Sequence, residues 1–262
     1  LNLEKTHDVS TYHSDYGFIG EKDDSFKLII LNLYDDISKD VQGTAVPAKG
    51  VVEEFGYKWC VEAFRESGLI KALWKSDNEP AILALKNKAK AEADFIELIL
   101  EESPKGDSQS NGAAERFQRI MADGTRVYKD QLQFKYGVKI PTNHCLVTWM
   151  PRHSCYSYSR FQVVKDGMSS YQIRTGKPYR GYVVPFGECV RYRLPKARGK
   201  QKKIENIWST DGIGVGKTDR TNEFIVITPA GHTTSRSVKR LPEDERYNAE
   251  LLGKVKGVPW DL

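Results

Sequence analysis

Apolar positions along the chain group first into short runs of strand length, then take up a helical period, and later break into short runs again. Thr11–Ile19 reads as a strand closed by Gly20, Phe26–Leu33 as a second closed by the turn-forming pair Asp35-Asp36, and Val41–Val46 as a third ended by Pro47 and Gly50. The period then changes. Val52, Phe55, Trp59 and Ala63 fall at i, i+3, i+7 and i+11, which predicts an amphipathic helix stopped by Gly68. Leu69–Trp74 is again strand-like, Pro80 opens a second helix that runs to about Ala93, and Phe95–Leu100 is a fifth strand. Glu101–Ser110, with Pro104, Gly106, Asp107 and Ser108, is expected to be a mobile loop. The longest helical pattern follows, from Asn111 to about Phe134, with Ala114, Phe117, Met121, Tyr128 and Leu132 as its buried stripe.

The order β-β-β-α-β-α-β-α predicts an α/β fold, a mixed sheet flanked by helices. Cys145–Val163 reads as connecting helix. From about Val184 the pattern changes to short strands (Cys189–Arg193, Ile207–Trp208, Phe224–Thr228, Thr234–Val238), which predict a small all-β barrel. The chain is therefore expected to divide into a core over 1–137, a helical connector over 138–183 and a small β domain over 184–262.

Composition supports packed domains, because 39% of the 262 residues are hydrophobic and 11% aromatic, too many for a solvated tail. No apolar run approaches the roughly 18–20 residues of a membrane span, so no membrane partner is expected. The start, Leu-Asn-Leu-Glu-Lys, has neither an initiator Met nor the apolar region of a signal peptide, which suggests an intracellular segment of a longer chain. Four dispersed cysteines (Cys60, Cys145, Cys155, Cys189) contain no C-x-x-C pair and read as free thiols. His144, Cys145, His153 and Cys155 cluster in sequence, but not at a usual zinc spacing.

Charge is unevenly placed. From Val138 onward there are 22 Lys and Arg against 11 Asp and Glu, which leaves 18 against 24 in the first 137 residues. The densest basic stretch comprises Arg191, Arg193, Lys196, Arg198, Lys200, Lys202 and Lys203, with Tyr179, Tyr182, Tyr192 and Trp208 nearby. Basic residues interleaved with aromatics suit a phosphate backbone, although such a run is equally consistent with a solvated loop.

Three acidic residues sit where a site would be built in an α/β sheet. Asp15 lies on the first strand, Asp77 follows the strand Leu69–Trp74, and Glu115 opens the long helix. Three such carboxylates could bind two Mg²⁺ ions, though an Asp at a strand end often only caps the next helix. Asp35 and Asp36 read as turn residues. Gly212-Ile213-Gly214-Val215-Gly216-Lys217-Thr218 imitates a phosphate-binding loop, but Asp211 stands where that motif needs its first glycine. From the residues alone this stretch reads as a turn between strands.

The local sequence around the acidic residues adds a family resemblance. Lys75-Ser76-Asp77-Asn78-Glu79-Pro80, followed by Ser103 to Arg116 with its Ser110-Asn111-Gly112-Ala113-Ala114-Glu115-Arg116 ending, resembles the D,D-E integrase core of retroviruses and LTR retrotransposons. Asp15-Tyr16-Gly17-Phe18-Ile19-Gly20 matches the strand that carries that family's upstream Asp. The 38 positions from Asp77 to Glu115 imply a loop slightly longer than usual there, and the 62 from Asp15 to Asp77 are compatible. Beyond the core, Val184–Val190, Trp208 with Gly212–Gly216, and Ser235–Arg240 resemble the region that follows the core in copia-type Pol polyproteins, where each is a strand.

The resemblance implies an RNase H-like mixed five-stranded sheet followed by an SH3-like barrel. It implies a polynucleotidyl transferase with endonuclease and strand-transfer steps, acting on element ends and target DNA. Asp15, Asp77 and Glu115 would be the catalytic residues and would hold two Mg²⁺ ions, with Mn²⁺ as a substitute. Lys105, Gln109, Ser110, Asn111 and Arg119, together with Arg191, Arg193, Lys200, Lys202 and Lys203, are the candidate DNA contacts. Arg119, at i+4 from Glu115, could instead pair with it. A homo-oligomer working in the nucleus on chromosomal DNA is the corresponding expectation. The family's N-terminal zinc module is not visible, so the alternative is an inactive or fragmentary integrase-derived DNA-binding protein.

Overall fold

A computed structural model describes residues 9–20, 26–102, 112–194 and 207–262. The expectation of a mobile loop over Glu101–Ser110 falls mostly outside them.

The first sheet is built from β1 (Ser10–Ile19), β2 (Leu28–Asp35), β3 (Val41–Val46), β4 (Lys71–Ser76) and β5 (Glu97–Glu102), in the order β3-β2-β1-β4-β5. β2 and β3 are antiparallel, whereas β4 lies parallel to both β1 and β5. Two helices make the parallel crossovers: α1 (Phe55–Ser67) between β3 and β4, and α2 (Pro80–Glu92) between β4 and β5. A long α3 (Gly112–Tyr136) follows. This is the RNase H-like arrangement, reached through the two parallel strands added beside β1.

α1 stops at Gly68, whose left-handed conformation closes the helix onto the carbonyl of Arg65, and Pro80 occupies the first turn of α2. The expected stripe of α1 holds except at its start: Ala63 is buried and Phe55 and Trp59 are half-buried against the core, while Val52 lies outside the helix and is exposed. Tyr57, Cys60, Val61 and Phe64 widen that buried face. Phe64 meets Tyr12 of β1 and Trp74 of β4 edge to face, with ring centres 5.0 and 4.8 Å apart. Tyr12, Tyr16, Trp74, Ile82 and Leu85 belong to this same core.

The chain then forms α4 (Cys145–Phe161), a hairpin of β6 (Val163–Lys165) and β7 (Met168–Ser169), and α5 (Ser170–Thr175). The second sheet comprises β8 (Cys189–Arg193), β9 (Trp208–Lys217), β10 (Phe224–Thr228), β11 (Gly231–Ser235) and β12 (Val238–Arg240), with a short α6 (Ala249–Leu252) after it. Its order is β11-β10-β9-β8-β12, antiparallel throughout, so the last strand returns to pair with the first as an SH3-like barrel requires. Val184, Val190, Tyr192, Phe224, Val226 and Val238 form its core.

Two expectations are corrected here. Thr234–Val238 is not one strand, because Ser235 Oγ accepts from the Ser237 N–H and turns the chain between β11 and β12. Gly212–Lys217 is not a turn but the second half of β9. A side chain at Gly212 would meet Val226 Cγ1 at 2.3 Å and the Tyr192 ring at 2.8 Å, so glycine here makes room for neighbouring strands.

Two compact units divide the chain. One comprises residues 1–19, 29–121 and 155–179 with the first sheet, the other 20–28, 122–154 and 180–262 with the second. Among the described residues no helix is long and apolar enough to cross a membrane. All four cysteines are free.

Candidate active site

Asp15 and Asp77 come together through strand register. β1 and β4 run parallel with Ser10 opposite Ala72 and His13 opposite Lys75. Two residues further along that register, Asp15 stands beside Asp77, the residue after β4 ends. Side chains alternate across a strand, so Tyr12, Ser14 and Tyr16 face α1 and α2 while His13, Asp15 and Gly17 face the other way. Ser14 Oγ accepts from the Trp74 indole N–H at 2.8 Å on the first of these faces.

The start of α3 covers the face that carries Asp15. Phe117 stacks on Tyr34 with ring centres 4.2 Å apart, and Gln118 Nε2 donates to the Tyr16 carbonyl at 2.8 Å. Gly17 permits this approach, since a Cβ there would lie 3.1 Å from the Gln118 side chain and 3.0 Å from Ile30. Gln118 also hydrogen-bonds Asp15. Glu115 lies one helical turn before Gln118, is exposed, and occupies the first turn of α3, where the helix dipole favours an acid.

Electrostatics marks the pair. The Asp15 carboxyl is pushed up to about 6, by burial first and then by the charges of Asp77 and Glu79, with bonds from the Tyr16 N–H and Gln118 opposing them. The Tyr16 N–H lies 2.7 Å from Asp15 Oδ1. Asp77 Oδ1 accepts from the Glu79 N–H at 3.3 Å, in the turn just ahead of α2. Beside it, Lys49 Nζ bonds both Glu79 carboxylate oxygens at 2.7 and 2.9 Å and lies over the Tyr16 and Phe18 rings.

Two adjacent carboxylates, one raised partly by the other's charge, form a hard oxygen donor set that suits a divalent cation such as Mg²⁺. Among the described residues, however, no three His, Cys, Asp or Glu side chains come together as a metal cluster. The pair fits one ion; Glu115 does not close a three-carboxylate cage around it. Asp35, as expected of a turn residue, is buried at the end of β2 and accepts from Ser10, Ile37 and Ser38.

Of the candidate DNA contacts, Arg119 is exposed, and no described ion pair joins it to Glu115. Lys105, Gln109, Ser110, Asn111, Lys200, Lys202 and Lys203 lie outside the described residues. Arg191 and Arg193 point from β8 to the exposed side, alternating with buried Val190 and Tyr192. Arg191 stands opposite Lys239 of β12, and both lie over the Trp208 ring, at 5.8 and 5.3 Å from its centre. Two like charges paired across strands are unfavourable on their own, and the indole face offsets part of that repulsion.

Two residues in the surroundings of the pair carry no sequence signal of their own: Gln118 and Lys49. Gln118 could have been found only as the residue one turn after Glu115.

No family model and no curated protein matches the chain. Among solved structures it is similar to a chain of a simian T-cell lymphotropic virus intasome in complex with PP2A regulatory subunit B56 gamma, at 12% identity over 88% of this chain and 78% of that one, with a TM-score of 0.46. The catalytic core domain of BIV integrase is 17% identical over 63% of this chain and 93% of its own, with a TM-score of 0.42. The HTLV-2 integrase catalytic core domain in complex with magnesium is 16% identical over 63% and 95%, also at 0.42. Overlaps this loose assign no activity, and the fold rests on the strand order itself.

Proposed function

We propose that the chain is the integrase core of a copia-type retroelement, a metal-dependent polynucleotidyl transferase that trims element DNA ends and joins them to target DNA. The observation that carries this is the meeting of Asp15 and Asp77 across β1 and β4, with the Glu115 end of α3 laid over the same strand face. Asp15 and Asp77 would hold one Mg²⁺ or Mn²⁺ ion, and Asp15 with Glu115 would hold a second. A bound divalent cation supplies Lewis-acid chemistry there, activating a water or 3′-hydroxyl and stabilising the leaving oxygen. The protein's own part is to hold the carboxylates in register and to present Glu115 on the first turn of α3. Arg191, Arg193, Lys200, Lys202 and Lys203 would bind duplex phosphates, and the working form is a homo-oligomer in the nucleus.

The exposed Glu115 favours one second reading, a DNA-binding integrase relative without chemistry. A paired assay separates the two. The chain, alone and within a longer polyprotein-derived enzyme, is tested for Mg²⁺-dependent nicking and strand transfer beside DNA affinity and thermal melting, each with Asp77→Asn. Transfer that falls by orders of magnitude in the variant, with melting and DNA affinity kept, supports the transferase. Transfer that survives the substitution removes Asp77 from the chemistry, and DNA binding with no transfer in either form leaves the second reading.

A further inference from the structure

Lys86 is 1% exposed, on α2, packed against the face of β4 opposite the carboxylate pair. Its neighbours on that helix face, Ile82, Leu85 and Ala89, are all fully buried and apolar. A buried ammonium is expensive, and a Met or Leu of similar length would fill the same space without that cost. The bonds it makes indicate what it does there. Nζ donates to Ser76 Oγ at 2.9 Å and to the Glu101 carbonyl at 2.8 Å. Ser76 Oγ in turn donates to the Asp77 carbonyl at 2.9 Å. A continuous polar chain thus runs from the buried ammonium through the last residue of β4 to the main chain of Asp77, and a second arm ties in β5.

We propose that Lys86 is a positioning residue for the carboxylate pair: acting through Ser76, it fixes the main chain of Asp77 where β4 ends and so sets that carboxylate beside Asp15. This rests on the proposed function for its metal, but not for its geometry. Residues that orient metal ligands typically change metal affinity about 10–100-fold when removed. The sign is diagnostic here. By charge alone, deleting an ammonium behind two carboxylates tightens cation binding, so weaker binding in a Lys86 variant reports disturbed geometry.

The test compares the full chain with Lys86→Met and with Ser76→Ala, which removes one hydroxyl and no charge. Mn²⁺ affinity is measured by titration calorimetry, thermal melting is followed in parallel, and hydrogen exchange is read at the Ser76–Asn78 amides without metal. Both variants should bind Mn²⁺ at least tenfold more weakly, and exchange should accelerate at Asp77 while interior amides of α2 keep their protection. The double variant should be no worse than Lys86→Met, since both break one chain. Unchanged or tighter Mn²⁺ binding with unchanged exchange at Asp77 overturns the proposal. Should Lys86→Met fail to fold, Ser76→Ala decides it. A wild-type chain that binds no Mn²⁺ would count against the transferase reading, and the exchange measurement would still decide the role of Lys86.

Discussion

Asp15→Asn should stabilise the metal-free protein while removing its metal site. In the folded chain the Asp15 carboxyl is raised from 3.8 to about 6, by burial first and by Asp77 second. A carboxyl raised on folding takes up protons as the chain folds. The folded state is therefore undisturbed below the unfolded value near 4, loses stability as the pH rises from about 4 to about 6, and carries the full penalty above that. The whole difference corresponds to about 3 kcal/mol, and solvent reaching Asp15 reduces this to about 1–2 kcal/mol. Asparagine has the same shape, and its Oδ1 can still accept from the Tyr16 N–H. The variant should thus gain about 1–2 kcal/mol at pH 8 in a chelating buffer, roughly 2–8 °C in Tm. The gain should vanish below pH 4. Saturating Mn²⁺ should raise the stability of the wild type but not of the variant, so the two curves should converge or cross with metal present. Urea unfolding from pH 4 to 8, with and without Mn²⁺, is the assay. A variant less stable than wild type at pH 8, or a gain that persists at pH 4, would refute the penalty that burial and Asp77 together place on the ionised Asp15.

Gly212→Ala would drive a methyl into Val226 and Tyr192 on both neighbouring strands, and should cost about 1–3 kcal/mol by calorimetry; an unchanged Tm would mean the sheet yields there. Glu188, 2% exposed, accepts from Arg240 Nε and Nη2 at 2.8 and 2.6 Å, so Glu188→Gln should cost about 1–3 kcal/mol in denaturant unfolding, less than a fully buried pair because Arg240 can rehydrate. Replacing Arg191 and Arg193 together by Ala should weaken duplex DNA binding evenly across sequences and reduce the salt slope by about 0.9 for each phosphate that is no longer neutralised; an unaltered slope would assign both to a solvated strand face.

Much of the first sheet was legible from local pattern. The strand-length apolar runs, the helical period before Gly68 and the Pro80 helix start depend on backbone preferences and on burial of one face, which neighbouring residues express by themselves. The acidic residues stood out through the motifs around them. Other features required the assembled fold. The period along α1 picked out Phe55, Trp59 and Ala63, but the width of its buried face, with Tyr57, Cys60 and Phe64 added, depends on the rings of Tyr12 and Trp74 in the sheet. The glycines of β9 look like turn material until Val226 and Tyr192 crowd them from the adjoining strands. Asp15 and Asp77 are 62 positions apart, and only the parallel register of β1 and β4 makes them neighbours. Lys86 reads in sequence as an ordinary helix lysine. Its burial, and its bonds to Ser76 and Glu101, come from packing α2 against the ends of two strands, a long-range contact that local preference does not encode.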